Sequence, residues 1–174
     1  MTVIYDHQFN VNEWLILIVL ALSIIAIFFL KPRMELPLLL TIYLFGVTAG
    51  MFFDHTISLH PFNFYDVNDT SNYQLIDFIS YVMYGPFAYF FVYFYEKLKI
   101  TGMTNILYVI IWTVVAICVE WVAHKAGIFH YRNGYKLFYS IPIYLFNQTV
   151  LIIFSHLILS EFRQKQKIKQ FIKT

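Results

Sequence analysis

The chain has 174 residues, 60% of them hydrophobic and only 13% charged, whereas soluble domains run at about 45–50% apolar and about 25% charged. That balance excludes a soluble globule. Five apolar runs of about 20 residues consume about 100 residues, leaving short connections and no room for a second folded domain.

The start of the chain carries acids but no Lys or Arg before its first apolar run, so no cleaved secretory signal is expected, because such a signal needs a positive leading segment. The first span reads from Trp14 to Leu30 and ends at Lys31-Pro32-Arg33, a basic break that a helix in lipid does not continue through. The second reads from about Pro37 to Phe53 and contains Gly46 and Gly50, a small-xxx-small pair that lets another helix approach closely. The third reads from about Tyr73 to Tyr95, with Gly85-Pro86 near its middle, where loss of a helical hydrogen bond predicts a kink. The fourth reads from about Thr104 to Ala123 and the fifth from about Leu137 to Ser160. Cys118 is the single cysteine and lies inside the fourth run, which excludes an intramolecular disulfide and a cysteine zinc site.

Between the second and third spans, residues 54–72 include Asp54, Asp66, Asp69, His55 and His60 but no Lys or Arg, and read as an exposed acidic loop. Residues 161–174 hold Arg163, Lys165, Lys167, Lys169 and Lys173, with Phe162, Ile168, Phe171 and Ile172 near helical spacing. That pattern fits a basic amphipathic helix on an anionic cytoplasmic membrane surface. Nine Lys and Arg fall on the side of Lys31, Lys97 and the tail, against three, Lys125, Arg132 and Lys136, on the other. The positive-inside rule then puts the N-terminus outside and the C-terminus inside. The expected fold is an all-α bundle of five transmembrane helices, residues 1–160, followed by the tail.

Ionisable groups at membrane depth are costly and normally face the bundle interior, so they are the first functional candidates. Asp77 and Glu120 each sit about four residues inside the outer boundary, about 6 Å deep, and Asp54 closes the second span at the same level. Helical spacing puts Glu120 on one face with Tyr108, Trp112, Ala116 and His124, and Asp77 on one face with Tyr73, Tyr81 and Tyr84. On the fifth span Ser140, Tyr144, Gln148 and Ser155 form a polar stripe with Asn147 beside it. Together they predict a polar pocket open to the outside and floored by Asn147 and Gln148, with Glu120 and Asp77 facing each other across it. A plain structural role is the alternative for each: carboxylates and histidines near an interface also hydrate, or hydrogen-bond Tyr and hold helices together. For Glu120 and His124, spaced i,i+4, coupled titration adds weight to the functional reading. His55 and His60 read as solvated loop residues and His156 as a packed or snorkelling group.

Asp54, His55, Glu120 and His124, with Asp77 and His130, are the residue types that bind zinc, but their spacing matches no metal motif and no cofactor can be read. There is no His-Glu-x-x-His, Walker, Rossmann or Gly-x-Ser-x-Gly pattern, which removes support for nucleotide use and serine hydrolysis. Nucleic-acid binding is not expected, since the one basic cluster is the tail beside the fifth span. Asn68-Asp69-Thr70 fits a glycosylation sequon without meaning in a bacterial cell.

The stretch from Glu120-Trp121 through Gly127 and Tyr131 to Tyr139-Ser140 resembles the signature of an uncharacterised family of small five-span membrane proteins from endospore-forming bacteria. In that pattern an acid closes the fourth span, a Gly/Tyr turn follows and Tyr-Ser opens the fifth. This chain departs from it at Gly134, where an aromatic is expected. The resemblance implies the five-span layout and a bacterial plasma membrane, and it marks Glu120, Gly127, Tyr131 and Ser140; it supplies no reaction.

Three functions stay open on the sequence. The first is a transport or sensing subunit whose outward pocket binds a small ligand, proton or cation. The second is a membrane enzyme acting on a lipid or isoprenoid, with Glu120 and Asp77 as acid, base or metal ligands. The third is an assembly protein, alone, as a homo-oligomer or with another membrane protein, that uses the tail or the Gly46/Gly50 face.

Overall fold

The computed structural model describes residues 3–30 and 34–172. Five helices are long and apolar enough to cross a membrane: α1 (Val11–Phe29), α2 (Leu36–Phe53), α3 (Leu75–Leu98), α4 (Thr104–Lys125) and α5 (Ser140–Ile172). Large apolar side chains such as Leu22, Phe28, Leu44, Ile106 and Phe146 are exposed on their outer faces. An apolar exterior over helices whose backbone polar groups are satisfied internally suits lipid rather than water.

Local chemistry sets the helix ends. At α1, Asn10 and Glu13 form a capping box, the Asn10 amide donating to the Glu13 carboxylate at 2.8 Å. Pro37 stands in the first turn of α2, where its missing N–H costs nothing. Beyond Phe53 the helix widens into a π-helical turn, Asp54–Ser58. A 3-10 turn at Leu137–Tyr139 leads into α5.

α3 runs as one helix from Leu75 to Leu98 with Pro86 inside it, and a neighbouring side chain takes up the hydrogen bond that Pro86 cannot make. Proline lacks the N–H that would bond the carbonyl four residues earlier, here that of Val82. The Tyr43 hydroxyl of α2 donates to that carbonyl at 2.9 Å, and its ring covers Gly85, where a Cβ would collide with it. The neighbouring pair, Gly46 and Gly50, meets α3 as well: a Cβ on Gly46 would lie 2.5 Å from the Tyr84 carbonyl oxygen, and one on Gly50 would strike the Tyr84 ring. The close approach predicted from these glycines is therefore satisfied inside the chain, by α3, and Gly46 is buried there.

α3 is the most buried helix. Towards the tail end its Tyr89, Phe91, Val92 and Tyr95 pack with Leu38 and Ile42 of α2, Tyr108 of α4 and Leu151 of α5. Towards the other end Met83 packs with Ile16 of α1, Ala123 of α4 and Ile128.

The segments 3–10, 54–74 and 126–139 form one cap over that second end. Two three-residue strands, β1 (Tyr65–Val67) and β2 (Phe129–Tyr131), pair antiparallel with Tyr65 opposite Tyr131, Asp66 opposite His130 and Val67 opposite Phe129. The N-terminal segment bridges to the same loop through Ile4 and Thr70, and the Tyr5 amide donates to the Asp69 carbonyl at 2.7 Å. Tyr5 stacks on His130 with centroids 3.7 Å apart and donates its hydroxyl to Asp66 at 2.6 Å. Asp66 also pairs with Arg132 at 2.6 Å. The loop expected to be an exposed acidic strip is thus folded: Asp66 and Asn68 are buried, while His55 and His60 are exposed.

The tail also differs from expectation. α5 continues without a break to Ile172 rather than ending near Ser160 and restarting as a separate surface helix. At 33 residues it extends about 50 Å, longer than the ~30 Å hydrocarbon core. The side chains of Arg163, Lys165, Lys167 and Lys169, and all of Lys173, lie outside the described residues.

Candidate functional site

α2, α3, α4 and α5 enclose a cavity of about 190 Å³ beneath the cap. Its deep end is apolar and aromatic, with Phe45 of α2, Phe87 and Phe91 of α3, Trp112 of α4 and Leu151 of α5. Its cap end is polar, with Asp54, Tyr65, Tyr81, Tyr84, Glu120, Tyr135, Ser140 and Tyr144. Asn147 and Gln148 stand between these ends rather than at the floor, and Gln148 accepts the Thr113 hydroxyl at 3.1 Å.

Glu120 is 6% exposed. Three hydroxyls converge on it at 2.7 Å: Tyr131 and Ser140 donate to Oε1, and Tyr144 donates to Oε2. Ser140 has one proton and directs it to Glu120, so the Tyr135 hydroxyl, 2.9 Å away, must be the donor to Ser140. The result is a one-directional chain, Tyr135 to Ser140 to Glu120, ending on an acceptor. All three direct donors come from beyond α4, Tyr131 from β2 and Ser140 and Tyr144 from the first part of α5, so the cap has to fold for Glu120 to be fully satisfied.

Asp54 reaches the cavity from the other wall because the π turn sets it at the end of α2. The Tyr81 hydroxyl donates to its Oδ2. Its Oδ1 is buried and, among the described residues, has no hydrogen-bond partner. The Tyr65 phenol and the Ser58 hydroxyl stand near this carboxylate. Burial, with the Asp54, Tyr84 and Glu120 charges and hydroxyls around it, pushes the Tyr65 phenol well above its ordinary range, so it stays a neutral donor. The Tyr131 phenol is raised too, first by burial and then by its bond to Glu120. Among the described residues that line the cavity there is no Lys, Arg or His.

Two expected partners stand elsewhere. Asp77 does not line the cavity; it caps the start of α3, accepting the Gln74 amide and the Asn68 side-chain amide at 2.6 Å each. It therefore does not face Glu120, and Asp54 occupies the place expected for it. His124 makes its bond away from Glu120, with Nδ1 2.7 Å from the Phe129 carbonyl, and stacks on Tyr131 with centroids 4.3 Å apart. Its link to Glu120 runs through the Tyr131 ring and hydroxyl. Asp54, His55, Glu120 and His124 do not gather as metal ligands, and among the described residues no cluster of three such groups could hold a metal ion.

Tyr65 and Tyr135 were not anticipated. Both lie in connections with no helical period, so no spacing argument could assign them a face. Tyr131 was indicated by the resemblance alone.

Fold and site together define an all-α protein of five potentially membrane-spanning helices with one capped, acid-bearing internal cavity. No protein-family model, curated protein or solved structure matches the chain significantly.

Proposed function

We propose that the chain is a multi-pass protein of the bacterial plasma membrane, N-terminus outside and C-terminus inside, whose cavity lies on the outer side beneath the cap and binds a small ligand as part of a transport or sensing system. The observation that carries this reading is the presence of Asp54 and Glu120 on opposite walls of a cavity with no Lys, Arg or His among its described lining residues. A buried negative site of that kind favours a proton or a cation over an anion. The orientation rests on the nine-to-three distribution of Lys and Arg. It agrees with the gathering of segments 3–10, 54–74 and 126–139 at one end, as alternate connections of a five-span chain must.

The rival readings lose specific support. An acid and base pair of Glu120 with Asp77 has no shared cavity, because Asp77 is engaged in capping α3. An assembly face at Gly46 and Gly50 is already covered by Tyr84 and Ala88.

Trp112 lines the cavity, whereas Trp14 and Trp121 are exposed, which gives a direct test. In a Trp14→Phe, Trp121→Phe background, small cavity-sized molecules should change Trp112 emission saturably, and Ala116→Phe, which fills the cavity wall, should abolish the response while the protein stays folded. Responses that do not saturate, or that survive Ala116→Phe, would overturn the binding reading.

A further inference from the structure

We infer that the ligand of this cavity is an amphipathic amine, a protonated primary or secondary amine on a short hydrocarbon body, with its ammonium on Asp54 Oδ1. This inference rests on the binding reading above and narrows it to a chemical class.

The polar end fixes the head group. Both Glu120 oxygens already accept hydroxyls, and Asp54 Oδ2 accepts Tyr81. Asp54 Oδ1 is the carboxylate oxygen left buried without a partner, and a buried acceptor in that state is costly until a donor reaches it. The missing partner must donate a hydrogen bond. It should also be positive, since Asp54 and Glu120 share the cavity with no Lys, Arg or His among its described lining residues. Tyr65, Tyr81 and Tyr84 line the same end, and aromatic rings attract an ammonium further. An N–H-bearing amine meets all three conditions; an anion meets none, and a quaternary ammonium lacks the donor.

The deep end fixes the body. A bare inorganic cation would leave Phe45, Phe87, Phe91, Trp112 and Leu151 facing empty or water-filled space, which such a surface disfavours. A hydrocarbon chain fills it. The cavity, about 190 Å³, has room for a small hydrocarbon body, for which a six-carbon chain serves as the probe.

n-Hexylamine, n-hexanol and hexanoate separate the terms, because they share a body and differ in head. Titrated into the full-length Trp14→Phe, Trp121→Phe protein in detergent at pH 7, hexylamine should bind at least tenfold more tightly than hexanol by Trp112 fluorescence, and hexanoate more weakly than either. Asp54→Asn should lower hexylamine affinity more than hexanol affinity and so close the gap between the two, while saturable hexanol binding still reports an intact cavity. If Asp54→Asn does not fold, the amine-to-alcohol ratio in the parent protein still decides. Equal binding of amine and alcohol, or an amine preference that survives Asp54→Asn, overturns the amine assignment and leaves the ligand-binding cavity standing. Saturable binding by none of the three overturns both.

Discussion

Three carboxylates lie near one level of the bundle, and their surroundings give them different work. Asp77 accepts a backbone amide and a buried Asn68 amide, so Asp77→Ala should cost about 1–3 kcal/mol of stability, read as a lower unfolding midpoint, while ligand affinity per folded molecule stays constant. Glu120 accepts three hydroxyls at the cavity wall. Glu120→Gln keeps the volume but replaces one acceptor with a donor, so one of those hydroxyls loses its partner. The variant should fold and bind a cationic ligand at least tenfold more weakly, measured by Trp112 fluorescence. Depth and helical period were enough to single out Glu120, Asp54 and the Ser140, Tyr144 and Gln148 stripe. They could not separate Asp77 from the cavity, because height along a helix says nothing of whether a side chain is already taken by its own N-terminus. The Gln74 and Asp77 spacing is the signal that could have told them apart.

At the scale of elements, the α2 and α3 contact is the tightest joint in the molecule. Gly46→Ala puts a Cβ against the Tyr84 backbone carbonyl, which cannot swing aside as a side chain could. A loss of about 1–3 kcal/mol is expected, checked by thermal unfolding. Tyr43→Phe should also destabilise, by about 1–3 kcal/mol, since it removes the donor that satisfies the Val82 carbonyl opposite Pro86. The five apolar spans and the small-residue joint were readable because each is a repeated local pattern. β1 and β2 were not, because three residues carry no usable period and their pairing joins segments more than sixty residues apart. The unbroken α5 follows from composition: after Pro142, in its first turn, it contains no Gly or Pro to end it.

At the scale of the whole molecule, the cap closes the cavity with an acid-sensitive contact. Burial lowers the His130 imidazole below its ordinary 6.5, with Tyr5 stacked on it, Asp66 opposite and His124 nearby. The unfolded cap therefore binds more protons than the folded one in that range. The contribution of His130 is present above about pH 6.5 and is lost as pH falls through the folded value below it. Hydrogen exchange at the Tyr5 and Asn68 amides, corrected for intrinsic rates, should accelerate between pH 7 and pH 5, and His130→Gln should remove that pH dependence. Fusions of a cytoplasmic reporter after residues 31, 101 and 174 should all report the inside, as the charge distribution requires. Replacing Arg163, Lys165, Lys167, Lys169 and Lys173 with Gln should weaken attachment of the tail to anionic vesicles.

The claim on which the others depend is an outward-facing, negatively charged cavity, and Asn147 on its wall offers the probe. With Cys118, the single cysteine, replaced by Ser, Asn147→Cys in intact cells should react with a membrane-impermeant cationic thiol reagent faster than with its anionic counterpart. Glu120→Gln should narrow that difference. Reaction only after the cytoplasmic face is opened, or equal rates for the two reagents, would contradict the account.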